Sequence, residues 1–229
     1  LGISKSNIEF YNTNIVNINN IIWKIKKIEI FTDNLKNEKV LNFEEKNSEI
    51  FSIVKNSDLS QILEKNLKKN KYFSKIFSTK KINFSKEYNL VINTDYSHQL
   101  AIKYFSKKLV KKYDSVSYTT TIKHKKCKND VAIQIFTKKG PIAFLPISNK
   151  ETSIVYSIGN LDYQTDETIK KLINQYNKSY KINKINKIQF FELTSLNLRS
   201  YHNGKILAFG DLLHRIHPLA GQGFNMTIR

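Results

Sequence analysis

Apolar and polar positions follow two rhythms along this chain, one of period two and one of period near 3.6, and their order predicts a mixed architecture. Residues 25–32, IKKIEIFT, alternate as a strand, and 39–45, KVLNFEE, is expected to pair with them across the polar turn 33–38. The rhythm then changes. Leu59, Ile62, Leu63 and Leu67 fall on one helical face, with Ser57 or Asp58 as cap and Gln61 at the capping-box distance from Asp58, so a helix is predicted over 59–69. Residues 89–95, NLVINTD, read as a buried parallel strand whose carboxyl end presents Asp95. The stretch 98–113 has helical composition with poorly phased apolar positions.

Four strand patterns follow at a spacing of about ten residues: 115–125, 130–138, 141–148 and 152–159. Turn signals at 126–130, 138–140 and 149–151 predict an antiparallel meander. A helix over 166–180 rests on Ile169, Leu172, Ile173 and Tyr176, and 188–198 reads as another strand. Residues 205–211, KILAFGD, form a short strand leading into a glycine-containing loop and a helix starting near Phe224. The expected fold class is therefore mixed α/β: a parallel-type core interrupted by an antiparallel sheet.

Composition narrows the classes. With 229 residues, 40% apolar and 12% aromatic, the chain can bury a core, which excludes disorder. The single cysteine, Cys127, excludes an internal disulfide, and a reducing compartment, most simply the cytoplasm, is expected. No export signal is visible, and no apolar run is long enough for a transmembrane helix. Leu1 is not a start methionine and GFNMTIR stops inside a helix just begun, so an internal piece of a longer protein is expected. The net charge of +19 invites a nucleic-acid reading. Only three of the 38 basic residues are arginine, however, and the lysines are scattered without interleaved stacking aromatics, so no nucleic-acid partner is expected.

Chemistry concentrates in one place. Of seven glycines, Gly210, Gly221 and Gly223 lie within GDLLHRIHPLAGQGFNMTIR. A strand ending at Gly210-Asp211 offers a carboxylate to ligand hydroxyls, and the loop Pro218 to Gly223 has the backbone freedom to approach a flat ligand closely. His214 and His217 lack a third ligand nearby, so no metal site is expected.

This segment resembles the second flavin-binding motif of the class A flavin monooxygenases, closest to the polyprenylphenol hydroxylases of ubiquinone biosynthesis, whose pattern reads GDAAH, two residues, HPxAGQGxN. Gly140-Pro141-Ile142-Ala143-Phe144-Leu145-Pro146-Ile147 is similar to the family's GPxAxLPL stretch. The resemblance implies an incomplete FAD-binding Rossmann-like domain from 50–105 and 205–229, interleaved with an antiparallel-sheet substrate domain from 15–49 and 106–204. It implies FAD as cofactor, with Asp95, Gly210, Asp211, Pro218, Gly221, Gln222, Gly223, Phe224 and Asn225 binding it. Asp211 would meet the ribityl or phosphate region, the Pro218 loop would lie along the isoalloxazine, and the backbone around Gly223, Phe224 and Asn225 would face its pyrimidine edge. Phe144 and Tyr156 would face a prenylated ring. No catalytic residue is identified.

The implied activity is hydroxylation of a polyprenylated phenol with O2, the flavin being reduced by NAD(P)H; the piece alone is expected to be inactive. Where the family has GADG, this chain has Asn93-Thr94-Asp95-Tyr96, keeping the aspartate and losing both glycines. That departure leaves a second reading open: a catalytically impaired homologue serving as a lipid-binding or assembly partner within a quinone-synthesis complex. A greasy substrate and a cationic surface also leave open a peripheral contact with the inner membrane.

Overall fold

The computed structural model describes residues 1–33, 38–45, 48–77, 84–216 and 222–228. In chain order the elements are β1 (Gly2–Ile3), α1 (Lys5–Asn14), β2 (Ile22–Ile25), β3 (Lys27–Thr32), β4 (Lys39–Glu44), β5 (Phe51–Val54), α2 (Asn56–Leu67), α3 (Phe84–Glu87), β6 (Val91–Asn93) and α4 (Gln99–Tyr104). They continue with β7 (Lys108–His124), β8 (Val131–Thr137), β9 (Gly140–Ser148), β10 (Glu151–Gly159), α5 (Asp166–Tyr176), β11 (Ile182–Ile185) and β12 (Gln189–Leu198). The last are β13 (His202–Asn203), β14 (Ile206–Ala208), a 3-10 turn at Gly210–Leu212, β15 (His214–Arg215) and α6 (Gln222–Ile228). The fold is mixed α/β, dominated by sheet. No helix among the described residues is long and apolar enough to cross a membrane, which says nothing of a β-barrel.

Two compact units result, the first from 1–62 and 114–193, the second from 63–113 and 194–229. Their boundaries fall near Ile62, Tyr113 and Leu193, whereas the sequence suggested divisions near 50, 105 and 205. Segment 51–54 sits in the first unit because β5 pairs antiparallel with both β1 and β2; it contributes nothing to a parallel core.

In the first unit the main sheet runs β7, β10, β9, β8, β3, β4, with β11 also on β7. Strands β9 and β10 bury alternate residues, and Ile142, Phe144, Ile154, Tyr156 and Ile158 share the buried side with Val116 and Ile122 of β7. Ile169 and Ile173 of α5 pack into the same core, so the period-two stripe of the sheet and the 3.6-period stripe of the helix close on each other. Thr165 caps α5 by accepting from the Thr168 amide at 3.2 Å, and Asp166 and Glu167 occupy its first turn. Pro146, which has no N–H to give, lies opposite Thr152 beside the register shift between Glu151 and Thr152.

The four-strand pattern differs from a meander. Strand β7 pairs with β10, not with β8, which frees β8 to take β3 on its other edge. That pair is parallel, Lys27 opposite Val131 through Thr32 opposite Phe136. The expected pairing of β3 with β4 is present and antiparallel. The stretch 25–32 divides at Lys26: Ile25 ends β2 in the small sheet with β5, and β3 begins one residue later in the large one. Beyond Tyr104 the poorly phased segment becomes the start of β7.

In the second unit β6 and β14 form a parallel pair, Val91 opposite Ile206 and Asn93 opposite Ala208, with β13 on the far side of β14. Ala101, Phe105, Leu196, Leu198, Ile206, Ala208 and Leu212 form its core. Strand β6 is covered on one side only. Asn93 is buried while Ile92 is 56% exposed, so the continuous apolar run of this strand does not mark burial on both faces.

Candidate functional site

The carboxyl ends of the parallel pair set the geometry of the second unit. The Phe209 amide donates to the Asn93 carbonyl at 2.9 Å, extending the pairing one step past each strand. The two chains then diverge into Thr94-Asp95-Tyr96 and Gly210-Asp211-Leu212, so both sequence-selected aspartates lie beyond the strand ends, where open α/β sheets place ligands.

Gly210 is the point of convergence. A Cβ added there would lie 3.9 Å from Thr94 Cγ2 and 4.0 Å from Thr227 Cγ2, so the turn after β6, the turn after β14 and α6 all meet at this backbone. Space would admit a methyl group; the glycine is required by its φ of +60°, which reverses the chain into the 3-10 turn. Leu212 anchors that turn in the core, and the Leu213 amide donates to the Gly210 carbonyl at 3.0 Å. Asp211, between them, is exposed.

Asp95 has a different neighbourhood. One of its carboxylate oxygens accepts from the Ser97 hydroxyl at 2.7 Å and from the Ser97 amide at 2.8 Å. The Ser97 hydroxyl, foremost, holds this carboxyl below the usual aspartate range, and the Ser97 amide adds to it. His98 then caps α4, its Nδ1 accepting from the Leu100 amide at 3.2 Å. Asp95 thus organises the turn into α4, whereas Asp211 presents its carboxylate outward.

Gly223, Phe224 and Asn225 lie in α6, which starts at Gln222, two residues earlier than the apolar pattern suggested. Gly223 is helical, with Ile216 Cγ1 3.7 Å from where its Cβ would be, and its carbonyl accepts from the Thr227 hydroxyl at 3.1 Å. Pro218 and Gly221 lie outside the described residues, and nothing of the Gln222 side chain is described.

Phe144 and Tyr156, expected to face a prenylated ring, are core residues of the first unit. They are 2% and 1% exposed, on the side of the sheet where Ile169 and Ile173 pack. Tyr156 bonds to the Thr137 hydroxyl at 3.1 Å, and burial raises the pKa of its phenol. Phe144 borders a cavity of about 70 Å³, too small for a substituted ring.

Three groups were given no binding role by the sequence. Asn93 takes the place of the first family glycine; its Oδ1 accepts from the Asp95 amide at 3.0 Å, while its Nδ2 is buried with no partner among the described residues. His214 Nε2 is likewise buried and unpartnered among them. Arg215 lies with its guanidinium 4.7 Å from the ring centre of Tyr96, the residue in place of the second glycine. A rare arginine in a lysine-rich chain was the one available signal for it. No metal-binding cluster is present among the described residues.

These residues fit a phosphorylated polyol such as FAD: an outward carboxylate for hydroxyls, a glycine turn with open backbone, and an orphaned amide donor at the strand end. Asp211, Gly210 and the α6 residues Gly223 to Asn225 would hold it.

The comparisons agree with this geometry. Residues 93–229 match the FAD binding domain family, and the chain belongs to that family. The chain is 27% identical over 154 residues to the mitochondrial ubiquinone biosynthesis monooxygenase COQ6 of Drosophila melanogaster, covering 50% of this chain and 32% of the relative. It is 23% identical over 124 residues to the ubiquinone hydroxylase UbiL of Rhodospirillum rubrum, covering 51% and 29%. The chain thus spans about a third of the length of the curated relatives it matches. Among solved structures, 2-methyl-3-hydroxypyridine-5-carboxylic acid oxygenase superposes with a TM-score of 0.76 at 11% identity, covering 100% of this chain and 68% of the other. PqsL, a probable FAD-dependent monooxygenase from Pseudomonas aeruginosa, gives 0.74 at 13% identity, covering 99% and 72%. These likenesses concern the fold.

Proposed function

We propose that the whole protein is an FAD- and NAD(P)H-dependent hydroxylase of a polyprenylated phenol in ubiquinone biosynthesis, with O2 as co-substrate. The observation that carries this reading is the turn at Gly210-Asp211, set beyond a parallel strand pair in a chain whose relatives are ubiquinone hydroxylases. FAD, when bound and reduced, supplies the oxygen-activating chemistry. The residues of this chain bind and orient it. Asp211 accepts hydrogen bonds from cofactor hydroxyls, Gly210 reverses the backbone so that the aspartate faces outward, and the α6 residues line the approach. In this reading the second unit is the FAD-binding part and the first the substrate part, and a quinone-precursor substrate brings the protein to the inner membrane surface.

The test is purification of the whole protein and titration with FAD. A yellow protein that oxidises NAD(P)H faster with a polyprenylated phenol is expected, and Asp211→Ala weakens FAD binding roughly 10- to 100-fold, the value of hydrogen bonds to a charged group. A colourless protein without FAD affinity overturns the reading.

Asn93 and Tyr96 in place of two glycines favour a second reading, a catalytically impaired homologue acting as an assembly or lipid-binding partner. There, loss of the protein lowers quinone yield while Asp211→Ala does not.

A further inference from the structure

Strand β4 closes one end of the main sheet of the first unit: β3 pairs with one of its edges, and no described strand pairs with the other. All six of its residues are exposed, and Val40, Leu41 and Phe43 keep 48%, 51% and 50% of their surface in water. Free edges are ordinarily guarded by proline, by unpaired lysines or by a covering segment. This strand has no proline. Its one lysine, Lys39, is held within the sheet by Glu29 at 2.6 Å, and its Glu44 reaches back to Lys27 at 3.6 Å. What interrupts the edge is the extra residue Val40, where the register with β3 shifts.

The ladder fixes where the free backbone groups point. The Glu45 amide donates to the Lys26 carbonyl at 3.2 Å, a bond of the kind that flanks a non-bonded pair, so Lys27 and Glu44 form such a pair. Alternation then makes Ile28 with Phe43 a bonded pair and Glu29 with Asn42 a non-bonded one. The N–H and C=O groups of Asn42 and Glu44 therefore point away from β3, into the open edge.

The sequence of this edge matches its own reverse. In Lys39-Val40-Leu41-Asn42-Phe43-Glu44-Glu45 the apolar pair brackets Asn42, and opposite charges stand at the two ends. Laid antiparallel about a two-fold axis at Asn42, two copies set Leu41 of each against Phe43 of the other and bring the glutamates of each to the Lys39 end of the other. Asn42 meets Asn42 as a bonded pair through the outward-pointing groups. In a chain of net charge +19, a stretch with one lysine and two glutamates lets a second copy approach without lysine meeting lysine.

We infer that β4 is a self-association edge, through which two copies of this chain join their main sheets antiparallel across Asn42. The inference uses no residue of the FAD reading and stands apart from it. Two paired strands of this length bury less than a standard interface, so the dimer is weak, with Kd on the order of 10 μM.

Sedimentation velocity of the whole protein over about a hundredfold range of concentration around that value should show monomer passing into dimer. Asn42→Pro removes an outward N–H and spares the bonds to β3, while Glu44→Lys sets lysine against lysine at both ends of the pairing. Each should weaken dimerisation about tenfold or more and leave the far-UV circular dichroism spectrum unchanged. Hydrogen exchange of segment 38–45 should slow as concentration rises. A monomer throughout the range, or a dimer indifferent to both substitutions, overturns the inference. Protection of 38–45 that does not vary with concentration overturns it too, by giving the edge to another segment or partner.

Discussion

At the residue scale, two glycines with positive φ show how differently the same conformational demand is enforced. Gly210, at φ +60°, has only ordinary contacts within 4 Å of an added Cβ, so Gly210→Ala should cost only the left-handed penalty, about 1 to 2 kcal/mol. Gly140, at φ +138°, opens β9, and its Cβ would fall on the Ser157 backbone carbonyl oxygen. Gly140→Ala should cost about 3 kcal/mol or more, since backbone cannot swing aside as a side chain does. Gly159, with nothing within 4 Å, is the control: Gly159→Ala should leave the unfolding midpoint nearly unchanged in denaturant titration. Asp95 adds a pH dependence. Its folded pKa is depressed, so the turn it holds is stabilised above the ordinary aspartate value and loosens as pH falls through the folded one. The protection of the Ser97 amide, measured against its intrinsic exchange rate at each pH, should fall over that acid window, and Asp95→Asn should remove the dependence. The sequence marked Gly210 and Asp211 through glycine scarcity beside a strand pattern. It could not distinguish Asp95, engaged with Ser97, from Asp211, facing outward, because both look alike as strand-terminal carboxylates. Phe144 and Tyr156 were misplaced for a related reason: period two says which residues share a side of a sheet, not which side a helix covers.

At the element scale, what was legible had a clean period and what was not had conflicting neighbours. Helix α5 carries Ile169 and Ile173 one turn apart behind a Thr165 cap, and β9 and β10 alternate without interruption; all three follow the sequence pattern. Ile173 is fully buried among strand side chains, so Ile173→Ala should destabilise by about 2 to 5 kcal/mol, whereas Thr165→Ala should cost about 1 kcal/mol. Thermal melts of the two variants should rank in that order. The partner of β8 was not legible, because the parallel contact with β3 joins segments about a hundred residues apart and leaves no local signature. Helix α1 was missed because its polar SNIEFYNTN sequence has little apolar periodicity; the Ser4 cap and three buried residues, Asn7, Ile8 and Tyr11, hold it instead. The region after Tyr104 was ambiguous because it contains the end of a helix and the beginning of a long strand with no proline or glycine between them.

At the scale of the whole molecule, the two units differ in how much apolar surface their interiors withdraw from water. Among the described residues, the main core of the first unit gathers twelve buried side chains, most of them isoleucine or aromatic, while that of the second gathers seven, two of them alanine. Burial of each large side chain is worth about 1.5 to 3 kcal/mol, so the second unit should open at lower free energy than the central strands of the first. Its strands are also short: β6 and β14 contribute three residues each, and a parallel pair of that length has few amides to protect. Hydrogen exchange read by mass spectrometry should therefore find β7, β9 and β10 slowest and the segments 91–105 and 206–216 markedly faster. If FAD occupies the strand ends as proposed, saturating cofactor stabilises by RT ln(1 + [L]/Kd), about 2.7 kcal/mol at a hundredfold excess over Kd. That gain should appear as slowed exchange at 93–97, 209–215 and 222–228, with little change in β8 to β10. Slowing confined to β8 to β10 would place the flavin in the first unit and remove Asp211 from the cofactor site.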